Sequence, residues 1–135
     1  MQRLIRLIGA PHACATFEHA TADLRREFEF ATSQSAADFV VVLGNDPDRA
    51  AKAQEANPAA LVAWVPLAQS PGEGLGLLQR APGVATFALG EAGMKNAVLH
   101  FAAVRATLGE ATAAQQLDAF RQRQTDAVLA AELPD

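Results

Sequence analysis

Two hydrophobic periods alternate along this chain. Leu4 to Ile8 is a short apolar run closed by Gly9 and Pro11, the signature of a buried strand ending in a turn. Phe17, Ala20, Leu24 and Phe28 then recur every three or four residues, which predicts a helix whose other face carries Glu18, Asp23, Arg25 and Arg26. Phe39 to Leu43 is an unbroken apolar run ending at Gly44, the pattern of a strand covered on both faces in a parallel sheet. Asn45-Asp46-Pro47 supplies a cap and a first-turn proline for a helix to about Asn57, where Pro58 stops it. Leu61 to Val65 reads as the third strand. Ser70-Pro71 repeats the capping signal before a short helix through Gln79, against which Gly72, Gly74 and Gly76 count. Val84 to Leu89 is a fourth strand, and two helices follow, from about Gly93 to Leu108 and from about Thr112 to Ala131.

Strands at about residues 3–8, 38–43, 61–65 and 84–89 alternating with helices predict an α/β domain, a three-layer sandwich around a mainly parallel, flavodoxin-like sheet of four to five strands. Ligands of such sheets bind beyond the carboxyl ends of the strands. The loops of interest are therefore Gly9 to Thr16, Gly44 to Arg49, Pro66 to Glu73 and Gly90 to Asn96. Phe28 to Thr32 resists the scheme. It has strand character, but only Ser33 to Asp38 separates it from the next strand, and a parallel crossover ordinarily takes a dozen or more residues. It is expected either to stand outside the parallel sheet or to pair antiparallel at an edge.

The length of 135 residues suits a single domain. Its 31 alanines against eight aromatics favour closely packed helices. A net charge of −4 gives no extended positive field, so nucleic acid is not an expected partner. Cys14 is the one cysteine, which excludes an intramolecular disulfide and a multi-cysteine metal site, and neither a metal nor a cofactor is expected. The N-terminal apolar run contains Arg3 and Arg6 and is too short for a signal-peptide core or a membrane span, so no membrane contact and a cytoplasmic location are expected.

The segment Val84-Ala-Thr-Phe-Ala-Leu-Gly-Glu-Ala-Gly-Met-Lys-Asn-Ala-Val-Leu99, through the spacing of Gly90, Ala92, Gly93, Asn96 and Ala97, and the segment Leu117-Asp-Ala-Phe-Arg-Gln-Arg-Gln-Thr-Asp-Ala-Val-Leu129, through Phe120, Arg121, Gln124, Thr125, Asp126, Val128 and Leu129, carry a family likeness. Together with Val65-Pro66 and Gln69-Ser70, they make the C-terminal half resemble the class I aminoimidazole ribonucleotide carboxylase and mutase family (PurE) of purine biosynthesis. The resemblance covers roughly residues 61 to 131. It implies a homo-oligomer, an octamer in most relatives, with sites between subunits and carboxylate chemistry on aminoimidazole ribonucleotide without metal or organic cofactor. That chemistry depends on a Gly-Ser-x-Ser-Asp loop after the first strand, a Ser-Ala-His-Arg segment after the second, and a glycine-rich loop with a catalytic His after the third. Here the corresponding stretches read Gly9-Ala-Pro-His-Ala-Cys14 and Gly44-Asn-Asp-Pro-Asp-Arg-Ala50, and nothing matches Ser-Ala-His-Arg. The short link near residue 32 is read as the loss of one strand–helix unit. The implied protein is thus a catalytically impaired or repurposed homologue, a pseudoenzyme that keeps the oligomeric scaffold. A substituted carboxylase or mutase is the alternative.

No catalytic residue is assigned. His12, in the first strand-end loop, is the candidate proton carrier, with the Asp46/Asp48 pair as the other group available to an enzyme, and Cys14 two residues on reads as a half-buried, inert thiol. Gly44, Asn45, Arg49, Gln69, Ser70, Gly90, Ala92, Gly93 and Asn96 are candidates for holding a nucleotide-like or anionic ligand, with Arg49 as the clamp. Asp46 and Asp48 have a sufficient structural role at a helix start, and the glycine turn at Gly90 and Gly93 is equally explained by close helix packing. His19 is expected in solvent, His100 in a packed or interface position and Trp64 in the core. A nucleotide-like small molecule and a protein partner both remain open to the sequence.

Overall fold

The computed structural model describes residues 3–68, 70–78 and 85–131. The elements run β1 (Arg3–Ile8), α1 (Pro11–Ala20), α2 (Ala22–Glu27), β2 (Phe30–Ser33), β3 (Phe39–Leu43), α3 (Pro47–Ala56), β4 (Leu61–Val65), α4 (Pro71–Leu78), β5 (Ala85–Thr86), α5 (Gly90–Thr107) and α6 (Ala111–Ala130). All five strands are parallel, in the order β2-β1-β3-β4-β5, so the fold is a flavodoxin-like α/β sheet. Residues 1–99 and 100–135 form two compact units, with α5 running through the boundary.

In the first unit, strand alternation sorts the core into two faces. Val40, Val42, Val62 and Trp64 point to one face, where Ala50 and Ala53 of α3 and Leu77 of α4 cover them. Ile5, Leu7, Phe39, Val41, Leu43, Ala63 and Val65 are buried on the other. There, Gly93 of α5 approaches so near Val65 that an added Cβ would lie 3.1 Å from its Cγ1. β3 and β4 are thus covered on both sides, as their uninterrupted apolar sequences require.

Three expectations are corrected. Phe30–Ser33 is a true member of the parallel sheet, paired with β1 from Arg3↔Phe30 to Arg6↔Ser33, so the strand persists and only the crossover helix is missing. The short link works because the strands are staggered: β2 ends level with Arg6, while β3 begins level with Ile5. The chain therefore steps back about 3.3 Å and sideways by two strand spacings, about 10 Å, which residues 34–38 can span with a reach of about 20 Å. Phe30 and Phe39, from the strands flanking β1, meet edge to face at 5.6 Å.

The predicted first helix is two helices broken at Thr21, whose buried hydroxyl donates to the Phe17 carbonyl at 2.6 Å and accepts from Arg25 Nε at 3.0 Å. The fourth strand is shorter than expected. Among described residues it comprises Ala85 and Thr86, Val84 lies outside the described set, and Phe87 still donates its N–H to the Trp64 carbonyl at 2.9 Å.

The missing helix leaves a mark on the sheet. On the face that α3 and α4 cover further along, β1 presents Leu4, Arg6 and Ile8 and β2 presents Ala31 and Ser33. Leu4 is 43% exposed, and the other four are half-buried.

In the second unit, Gly109 at φ +88° turns the chain from α5 into α6. Arg105, 6% exposed, places Nε 2.6 Å from Glu110 Oε2 and ties the end of one helix to the start of the next. Ala113 and Leu117 of α6 are buried, whereas every residue from 121 to 131 is exposed, including Val128 and Leu129.

Candidate functional site

In this strand order the chain reverses direction between β1 and β3, and the crevice beyond their carboxyl ends is where doubly wound sheets bind ligands. α1 and α3 start there. After β1 only Gly9 and Ala10 precede α1, because Pro11 fits a first helical position. The expected loop Gly9 to Thr16 is therefore mostly helix, and His12 and Cys14 are helical residues. They stand about 200° apart around the axis: His12 is exposed, while Cys14 is half-buried with Sγ 3.7 Å from the Gly9 carbonyl. Burial pushes the Cys14 thiol above its ordinary pKa, Glu18 pushes it further, and Arg49 at the start of α3 opposes both. The thiol stays protonated, and the imidazole does not activate it.

After β3, Gly44 adopts φ +141°, a conformation that disfavours side chains. Its N–H donates to the Val65 carbonyl, and its own carbonyl accepts from Leu67 N and from Trp64 Nε1 at 3.0 Å. Asn45 donates Nδ2 to Glu73 Oε1 at 3.2 Å, bridging to the first turn of α4. Asp46 accepts from Asp48 N at 3.0 Å and caps α3. Ser70 Oγ accepts from Glu73 N at 3.2 Å and caps α4. Arg49 is exposed. Gln69 lies outside the described residues.

Beyond β5 the glycine turn is part of α5 itself, which starts at Gly90 rather than Gly93. Gly90, at φ +67°, donates its N–H to the Pro66 carbonyl at 3.1 Å. Gly93 and Ala97 are buried, and a Cβ on Gly93 would fall 1.7 Å from the Ala88 carbonyl oxygen. Ala92 and Asn96 are exposed on another side of the helix. The family-like spacing thus divides in two: Gly93 and Ala97 serve packing within this chain, and Ala92 and Asn96 face outward.

The structure brings Gly44, Asn45, Ser70 and Gly90 to one edge through Glu73 and Pro66, and places Arg49 within electrostatic reach of Cys14. Asp46 and Asp48 share the start of α3 with Arg49, so Arg49 follows two carboxylates at that helix end. Glu73 was not singled out from the sequence, although Ser70-x-x-Glu73 has the spacing of a capping box. Elsewhere His19 is exposed, Trp64 is fully buried, and His100 is half-buried with its ring tilted 49° against Phe101. Among the described residues no cluster of His, Cys, Asp and Glu could hold a metal ion, and no helix is long and apolar enough to cross a membrane.

Comparison with protein-family models gave no match, and neither did comparison with curated proteins. Among solved structures the chain is similar to a de novo designed Rossmann 2x3 fold protein determined by solution NMR, at 16% identity and a TM-score of 0.46, over 75% of this chain and 89% of that one.

Proposed function

We propose that this chain is a homo-oligomeric scaffold protein of the PurE type that has lost the carboxylase and mutase reaction. The observation that carries the reading is the way the polar groups at the strand ends are used. Asn45 is bound to Glu73, Asp46 and Ser70 cap helices, and the Gly44 carbonyl anchors Trp64. These groups hold the loops to one another. Proton transfer needs a carrier within about 3 Å of the reacting group, and the candidate His12 stands on the exposed side of α1, away from the half-buried Cys14. An anionic ligand at Arg49 would meet the carboxylates of Asp46 and Asp48 at the same helix start, which weighs against a phosphate site. The resemblance of residues 84–99 and 117–129 to the family's glycine turn and closing helix supports common ancestry and assembly as an oligomer, an octamer if the relatives' pattern is kept.

The test is direct. Purified protein is assayed with carboxyaminoimidazole ribonucleotide, and with aminoimidazole ribonucleotide plus bicarbonate, beside an active family member. Its mass is measured by light scattering. The expected result is an oligomer with turnover at least 10²-fold below the control, the smallest loss that removing a general acid–base typically causes. Turnover within tenfold of the control would instead establish a substituted enzyme, and His12→Ala would then locate its proton carrier.

A further inference from the structure

We draw no further inference here: the strongest candidate, the sheet face on β1 and β2 that presents Leu4, Arg6, Ala31 and Ser33 where a crossover helix is missing, carries none, because nothing in the structure shows what covers it.

Discussion

Gly93→Ala should destabilise the protein although alanine is the better helix former. In the interior of a helix the exchange alone gains about 1 kcal/mol. At Gly93 the new Cβ would lie 1.7 Å from the Ala88 carbonyl oxygen, 2.7 Å from the Ala88 carbonyl carbon and 3.1 Å from Val65 Cγ1. The first two atoms are backbone, so no rotamer change relieves the overlap, and the start of α5 must move away from the strand end that precedes it. Overpacking of a tight core site costs about 1–3 kcal/mol, and a backbone clash this close belongs at the upper end, for a net loss of about 2 kcal/mol after the helix gain. With a urea slope of about 1.5 kcal/mol/M, the unfolding midpoint should fall by about 1.3 M. Gly76→Ala is the control, because nothing lies within 4 Å of its Cβ position, and it should stabilise α4 by about 0.4–1 kcal/mol. A Gly93→Ala midpoint equal to or above wild type would refute the packing argument and return Gly93 to the list of residues kept free for a ligand.

Glu110→Ala should cost about 2–3 kcal/mol in urea unfolding, because it leaves the Arg105 guanidinium buried without its carboxylate. Thr21→Val should cost about 1–2 kcal/mol by removing the hydroxyl that joins Phe17 and Arg25, measured the same way. Cys14 should react with a thiol reagent more slowly than free cysteine at pH 8; Glu18→Gln should lower its pKa and Arg49→Gln should raise it, read from rate against pH. Because the folded thiol holds its proton above the pH where the unfolded one loses it, its contribution to stability is complete below the ordinary thiol pKa. That contribution declines as pH rises through the folded value, a trend that Cys14→Ser should abolish in alkaline unfolding curves.

The sequence by itself determined most of the strands and helices, because that information is local, though not the break at Thr21 or the helix that takes up most of Gly9 to Thr16. Phe39 to Leu43 and Leu61 to Val65 read as strands buried on both faces, and Asp46-Pro47 and Ser70-Pro71 as helix starts, and all four are found. It also placed Trp64 in the core and His19 in solvent. Tertiary structure decided what depends on the relative level of distant segments. The rule about crossover length argued against Phe30–Ser33 as a parallel strand, because loop length alone carries no information about stagger. Once β2 ends beside Arg6 and β3 begins beside Ile5, five residues suffice, and the omitted helix leaves an open sheet face that no local pattern announces. The candidate site shows the same division. Residue types and spacing nominated Asn45, Ser70, Gly90 and Gly93 as binding groups. Only folding, by bringing Glu73 to Asn45 and Ala88 against Gly93, fixed them in contacts within the chain, since a side chain's task is set by what lies within about 3–4 Å of it, and most of those neighbours are remote in sequence.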